Sequence, residues 1–226
     1  IVASLVGSEM CIRDSNGGIL GQWLSKQNDN EYRFVMEVES IGSPITKYYV
    51  SQDGEDFYNG YPESPFATIQ HGIDVAAEGD TVFVYEGTYI ENINFDGKNI
   101  MVIGESRENT IIDGNQDSSV VIFESGETSA AILKGFTLTN GGNTYAGGGI
   151  QINNSSPTIS DLLIENNVAE SDGAGIYIAG ECQSLISDLV ISNNECNLGA
   201  GVFVTSGSDE NTSPIFTDIE LSLIHI

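Results

Sequence analysis

A short phrase of alternating residues recurs three times in the second half of this chain at a constant interval. The phrase GGIQI at residues 148–152 returns as AGIYI at residues 174–178 and as AGVFV at residues 200–204. The interval from Ile150 to Ile176, and again from Ile176 to Val202, is 26 positions. Self-similarity at a fixed period of a few tens of residues is typical of a solenoid, in which each repeat stacks on its neighbour.

Apolar residues alternate with polar residues inside each repeat, which favours strands that have one buried face. A second phrase, ISDLLIENN at residues 159–167, returns as ISDLVISNN at residues 186–194. Gly, Asn, Ser and Pro separate the alternating segments and suit tight turns. Because no repeat contains a run with helical spacing, we predict an all-β solenoid in which each coil holds three short parallel strands.

Three asparagines follow successive strands at the same place in the repeat, and they are Asn140, Asn166 and Asn193. Asparagine tolerates left-handed backbone and can hydrogen-bond to its neighbours through its amide. We interpret the column as an asparagine ladder along one corner of the solenoid. The alternative is three unrelated turn residues.

Three aspartates form a second column, each just before a later strand, and they are Asp161, Asp188 and Asp218. Stacked carboxylates repel one another unless a cation or hydrogen bonds intervene. A bound calcium ion is one interpretation, and no other cofactor is suggested by the sequence. The interpretation that we favour is that each Asp caps its own turn through an Asx hydrogen bond.

Four phrases further upstream extend the pattern: YYVS at 48–51, SPFATIQ at 64–70, GDTVFV at 79–84 and GTY at 87–89. With them, residues 48–220 resemble the pectin-lyase-like family of right-handed parallel β-helices, in particular its secreted bacterial members. The resemblance implies a right-handed, single-stranded parallel β-helix and an extracellular or cell-surface location. It does not specify an activity, because this fold hosts lyases, hydrolases, adhesins and inert scaffolds.

The β-helix is expected at residues 47–220, with about five coils and with a helix that covers its N-terminal end. This capping helix is predicted at residues 66–77, where apolar residues recur at helical spacing. Ser64 is the expected N-cap, and Pro65 is the expected first helical residue. An open end would expose the core and unpaired strand edges, so a lid is needed.

The flanking segments carry less information. Residues 16–46 are interpreted as a lead-in or as the end of a preceding domain, with a strand at residues 32–38. Residues 1–15 and 221–226 resemble translated sequencing adapter. We therefore expect the chain to be a fragment of a longer protein, and we exclude its two ends from the fold prediction.

The net charge of −26, with a pI near 4.1, limits the possible partners. Nucleic acid and anionic lipid are contacted through Lys and Arg, so neither is an expected partner. No apolar run is long enough to cross a membrane. Cys182 and Cys196 are predicted to lie in two different turns of one coil. Turns at different corners are usually farther apart than a disulfide allows, so we favour free thiols over a disulfide.

Aromatic and amide side chains at outward positions of the strands are candidates for stacking against sugar rings. Exposed aromatic rings spaced by one coil, about 5 Å, could bind successive sugar units. The alternative is a scatter of surface aromatics, or aromatics that loops cover. The predicted row consists of Phe83, Gln151, Tyr177 and Phe203, with Tyr85 nearby.

A complete catalytic set is missing from the predicted coils. The family resemblance implies an Arg or Lys base with acidic calcium ligands for a lyase, or paired Asp residues with a His for a hydrolase. The coils contain Lys98, Arg107 and Lys134, each near a turn, and His71 lies on the capping helix, where we expect a solvated side chain. We therefore predict a binding or scaffold region that contacts polysaccharide. The alternatives are a lyase or hydrolase whose catalytic residues lie outside this sequence, and a structural stalk of an adhesin.

Overall fold

The computed structural model describes residues 2–6, 9–13, 19–28, 31–37, 46–206 and 212–222. Contacts within the chain divide it into two units, Ile1–Pro44 and Ile45–Ile226. The first unit is an antiparallel sheet whose strands follow one another in sequence order. Its strands are β1 (Val2–Val6), β2 (Glu9–Arg13), β3 (Ile19–Asn28) and β4 (Glu31–Glu37).

Parallel strands form three faces along the second unit, which we name faces A, B and C. Four strands of eight residues each contribute their first half to face A and their second half to face B. These long strands are β12 (Ile132–Thr139), β14 (Thr158–Glu165), β16 (Leu185–Ser192) and β18 (Ile215–Ser222).

Shorter strands complete each face at the N-terminal coils. Face A also contains β5 (Lys47–Val50), β6 (Thr81–Val84) and β9 (Met101–Gly104), and face B also contains β7 (Gly87–Ile90) and β10 (Thr110–Asp113). Face C is a separate sheet of five strands. They are β8 (Ile93–Asn94), β11 (Val121–Phe123), β13 (Ile150–Asn153), β15 (Ile176–Ala179) and β17 (Val202–Thr205).

Equivalent residues of successive coils pair directly with one another. Ile150 pairs with Ile176, and Ile176 pairs with Val202, in parallel register. The first two side chains are fully buried, and Val202 is half-buried on the last strand of face C. The five strands of face C mark five coils, so the predicted right-handed parallel β-helix is confirmed.

A continuous column of apolar side chains fills the interior of the coils. The rings of Phe95 and Phe123 pack with their centroids 4.3 Å apart, and both are fully buried. Burial of one such side chain stabilises the fold by roughly 1.5–3 kcal/mol relative to exposure. Further fully buried members of the column are Ile93, Ile100, Ile112, Leu133, Phe136, Leu138, Ile152, Leu162 and Ile164.

The capping helix is shorter than the sequence predicts. Helix α1 spans Ile69–Val75, and its N-cap is Thr68, whose side chain accepts a hydrogen bond from the backbone N–H of His71 at 3.3 Å. The prediction that Pro65 opens the helix is wrong, because the chain pairs with β5 there and Phe66 forms a parallel bridge with Val50. The buried face of the helix, which includes Ile69 and Ile73, joins the core as predicted for a lid.

An acidic residue from the first full coil fixes the start of this helix. The carboxylate of Glu91 accepts hydrogen bonds from the backbone N–H groups of Ile69 and Gln70, each at 2.9 Å. Burial raises the pKa of the Glu91 carboxyl, while these two hydrogen bonds act in the opposite direction. The helix is therefore tied to face B at the residue that follows β7.

The buried asparagine ladder lies one residue after the predicted column. Asn167 and Asn194 are buried, and the amide nitrogen of Asn167 donates to Oδ1 of Asn194 at 3.0 Å. The predicted ladder residues, Asn140, Asn166 and Asn193, instead occupy left-handed backbone with φ of 53° to 57°. The ladder prediction was therefore wrong by one position, since the left-handed corner and the buried amide belong to adjacent residues.

Candidate functional site

The outward side chains of face C form one column along the solenoid. Gln151 pairs with Tyr177, and Tyr177 pairs with Phe203, so these three predicted residues lie on consecutive strands of one sheet. Towards the N-terminal end, Ile122 and then Asn94 continue the same column. All five side chains are half-buried, which leaves part of each accessible.

Two aromatic rings lie parallel at the C-terminal end of this column. The ring planes of Tyr177 and Phe203 differ by 2°, and their centroids are 6.0 Å apart. The parallel register of β15 and β17 fixes this spacing, because adjacent strands lie about 4.8 Å apart. The two aromatic rings therefore repeat along the solenoid at an interval close to that of the strands.

The loops that precede β13, β15 and β17 stack on one another beside the column, and we call them the wall. The backbone N–H of Gly147 donates to the carbonyl of Asp172 at 3.1 Å, and that of Gly173 donates to the carbonyl of Leu198 at 3.0 Å. Gly173 has φ of +56°, and a Cβ there would lie 2.5 Å from the carbonyl oxygen of Ile176. Glycine thus lets each loop fold closely onto the strand that it precedes.

Two residues of the wall, Tyr145 and Asp172, affect the pKa of Tyr177. Burial raises the pKa of the Tyr177 hydroxyl, and the charge of Asp172 and the neighbouring Tyr145 raise it further. Tyr177 is therefore a neutral hydrogen-bond donor at neutral pH. Oδ1 of Asp172 is buried and has no hydrogen-bond partner in the structure, while the side chain of Tyr145 is 68% exposed.

No carboxylate occupies an outward position within the strands of face C, although the chain contains 33 Asp and Glu residues. Carboxylates do lie beside these strands, since Asp172 acts on Tyr177 and Glu124, just after β11, accepts a hydrogen bond from Asn94 at 3.5 Å. The outward side chains themselves are neutral, so the strands of face C differ from the rest of this acidic chain. A neutral, partly aromatic surface with nearby hydrogen-bonding groups suits stacking against sugar rings. The outward residues are Asn94, Ile122, Gln151, Asn153, Tyr177, Ala179, Phe203 and Thr205.

The structure does not place Phe83 and Tyr85 in this column. Phe83 lies on β6, which pairs with β5 and β9 on face A. The prediction of a single aromatic row was therefore wrong. Alternation identifies the outward side of a strand but does not say to which of the three faces the strand belongs.

The three predicted aspartates lie at the corner between faces A and B. Asp161, Asp188 and Asp218 have φ of 52° to 55°, and each marks the bend within its long strand. The guanidinium of Arg107 lies 3.6 Å from Oδ1 of Asp161 and 3.4 Å from Oδ1 of Asp188. An arginine thus supplies the positive charge that the calcium interpretation assigned to a metal ion.

Metal ligation finds no support elsewhere in the chain that the structure describes. Within residues 46–206 and 212–222, no group of three or more His, Cys, Asp or Glu side chains is arranged to hold a metal ion. Cys182 and Cys196 are both buried free thiols. Burial raises the pKa of the Cys182 thiol.

Two of the residues considered for catalysis, Lys98 and His71, make structural contacts. Lys98 donates to the carbonyl of Ile73 at 2.8 Å and to that of Asp74 at 2.7 Å, at the C-terminal end of α1. His71 is half-buried rather than solvated, and its ring packs edge-on against Phe66 with centroids 4.6 Å apart. Lys134 is exposed on face A.

Comparison with known proteins gives a likeness of fold. No protein-family model matches the chain. A stretch of 71 residues is 41% identical to an uncharacterised protein, YwoF, of Bacillus subtilis (strain 168), and it covers 29% of this chain and 15% of that protein. A pectin methylesterase solved with a hexasaccharide matches with a TM-score of 0.50 and 13% identity, over 77% of this chain and 65% of that one.

A further solved structure, the pectin methylesterase PemA of Erwinia chrysanthemi, matches with a TM-score of 0.47 and 11% identity, over 75% of this chain and 66% of that one. The chain thus spans less than two thirds of these structures' length and a small part of YwoF. At these identities the likeness concerns the fold. The second unit is accordingly a right-handed parallel β-helix, the fold that it shares with the pectin methylesterase.

Proposed function

We propose that face C binds polysaccharide and that the chain acts as an extracellular or cell-surface binding region. The parallel pair of Tyr177 and Phe203 carries this proposal, because two parallel rings one strand apart offer aromatic contacts for successive units of a sugar chain. Gln151 continues the column with an amide that can bind sugar hydroxyls. A pectin methylesterase of similar fold holds a hexasaccharide, which supports a sugar ligand for a β-helix of this kind.

Binding, rather than catalysis, is the function that the described residues favour. Lys98 and Arg107 are held by the helix end and by the aspartate corner, respectively. No helix within the described residues is long and apolar enough to span a membrane. The outward side chains of the face C strands, which are themselves uncharged, would bind a sugar chain through stacking and hydrogen bonds to its hydroxyls.

A polysaccharide panel tests the proposal. The whole chain is run through native gels that contain neutral or acidic polysaccharides, with and without calcium, and retardation by at least one polymer is expected. Tyr177→Ala and Phe203→Ala should each weaken binding by roughly tenfold, since loss of about 1.4 kcal/mol corresponds to that factor. Tyr177→Phe should keep most of the affinity because it keeps the ring.

Phe57→Ala is the matched control, because Phe57 is an aromatic residue that is 80% exposed on the loop between β5 and α1, outside the strands of face C. It should bind as the unmodified chain does. Absence of retardation in every gel would contradict the proposal. Equal affinity of Tyr177→Ala, Phe203→Ala and Phe57→Ala for a polymer that does bind would remove face C as the site.

A further inference from the structure

A second aromatic cluster lies on face A, on the N-terminal coils. The rings of Tyr49 and Tyr85 stack with centroids 5.8 Å apart and planes inclined by 25°. The ring of Phe83 meets both of them edge-on, at centroid distances of 5.9 Å and 5.5 Å. All three side chains are half-buried, so the cluster presents ring surface at the outside of the coil.

A lysine places hydrogen-bond donors directly above these rings. Nζ of Lys47 lies 4.0 Å from the ring centroid of Phe83 and 4.9 Å from that of Tyr49. The β-helix sequence contains four basic residues, of which Lys98 and Arg107 serve the contacts described above. The other two, Lys47 and Lys134, both lie on face A.

The row that contains Phe83 continues along the whole of face A without a carboxylate. Tyr49 pairs with Phe83, Phe83 with Ile103, and Ile103 with Lys134. Hydroxyl side chains then occupy the equivalent position in each later coil. They are Ser160, Ser187 and Thr217. An aromatic platform that leads into a line of amine and hydroxyl groups suits an elongated, hydroxyl-rich ligand.

The two aromatic platforms are separate sites. The coil of Phe83 includes β8, and three successive pairings lead from β8 through β11 and β13 to β15, which carries Tyr177. Three steps along a parallel sheet amount to about 14 Å. Because the platforms also lie on different faces, a single short sugar chain would have to bend around a corner to reach both.

We infer that face A carries a second polysaccharide-binding platform, formed by Tyr49, Phe83 and Tyr85 with Lys47, and that one chain holds two sugar chains at once. This inference rests on the proposed function, because it assigns the same class of ligand to both faces. Two sites on one rigid solenoid would cross-link a long polysaccharide. Multivalent attachment of this kind raises the apparent affinity for the polymer above that for a short oligosaccharide.

Stoichiometry tests the inference. Isothermal titration with a hexasaccharide of the polymer that the chain retains should give two bound molecules per chain, and mixing with the long polymer should give turbidity. Tyr49→Leu removes an aromatic surface on face A, and Tyr177→Leu does so on face C, while both keep an apolar side chain. Each single variant should bind one hexasaccharide with the unmodified affinity and the other roughly tenfold more weakly, and it should give less turbidity. The double variant should bind both hexasaccharides roughly tenfold more weakly.

Several results would overturn the inference. One hexasaccharide per unmodified chain, bound more weakly by Tyr177→Leu and equally well by Tyr49→Leu, would leave face C as a binding site and refute the site on face A. Capture of a protein instead of any glycan by face A would also refute it. If Tyr49→Leu unfolds, Lys47→Met at the edge of the platform provides the same test, with weaker binding at one of the two sites expected.

Discussion

The side-chain amide of Asn167 donates to the side-chain oxygen of Asn194 across 3.0 Å, inside the coil and out of contact with water. The same oxygen accepts the backbone N–H of Asn167 at 3.0 Å, and the amide of Asn194 donates to the carbonyl of Ile164 at 2.9 Å. Each amide thus satisfies backbone groups where the chain turns from face B into the loops before face C. The two asparagines satisfy buried backbone hydrogen-bonding groups at this corner, as strand pairing does on the faces.

We therefore expect Asn194→Ala to destabilise the β-helix by about 2–3 kcal/mol, because it leaves buried donors of Asn167 without an acceptor. A shift of the urea unfolding midpoint at unchanged slope would measure the loss. Asn193→Gly is the matched control, because Asn193 is exposed and has φ of 53°, a conformation that glycine adopts without strain. Its effect should stay within about 0.5 kcal/mol, and an equal loss in both variants would contradict a buried ladder.

The sequence predicted the architecture because the period of the repeat and the alternation of apolar residues are both local signals. Pairing of Ile150 with Ile176 follows directly from them. The face of Phe83 could not be predicted in this way, because turns of different length separate strands that look alike. The choice between Asn166 and Asn167 failed for a related reason, since both residue types suit a corner and only the packed coil shows which side chain is buried.

Arg107 illustrates a contact that the sequence could not reveal. It lies 54 positions before Asp161 and 81 positions before Asp188, and the coils bring all three together. Arg107→Met should destabilise the fold by up to about 1 kcal/mol, because the pairs are partly exposed and the two carboxylates then repel each other. The loss should shrink in 1 M salt, as screening predicts.

Asp188→Gly in the Arg107→Met background is the companion variant. Asp188 has φ of 52°, which glycine adopts readily, and the change removes one of the two facing carboxylates. Part of the lost stability should return, as measured by urea unfolding at low salt. A loss in Arg107→Met that is independent of salt and of Asp188 would mean that the arginine acts through packing alone.

Substitution of a glycine in the loops before face C tests how closely these loops pack onto the strands that follow them. Gly173→Ala combines a positive φ with a Cβ that would lie 2.5 Å from the carbonyl oxygen of Ile176. The backbone alone costs about 1–2 kcal/mol, and the clash adds to it. Gly126→Ala separates the two effects, because Gly126 has φ of +83° with nothing within 4 Å of the added Cβ. Gly173→Ala should lower the melting temperature clearly more than Gly126→Ala does.

The raised pKa of the buried Tyr89 predicts that the fold loses stability at alkaline pH. Its side chain is 4% exposed, and its hydroxyl donates to the carbonyl of Tyr85 at 3.0 Å. Burial, followed by the charge of Glu91, raises its pKa from 10.0 to about 12. Between these values the unfolded chain releases the proton while the folded chain keeps it, so stability falls as pH rises through this window. The slope is about 1.4 kcal/mol per pH unit, and the total loss is roughly 2–3 kcal/mol.

Tyr89→Phe isolates this contribution, because it keeps the ring and removes the ionisable hydroxyl. The variant should be less stable by about 1 kcal/mol at pH 8, where the hydrogen bond to Tyr85 is lost. Urea unfolding at pH 9, 10 and 11 should then show a shallower decline for Tyr89→Phe, so that the two stability curves approach each other or cross. Parallel curves over this range would show that the Tyr89 hydroxyl keeps an ordinary pKa in the folded chain, and that other groups cause any alkaline unfolding.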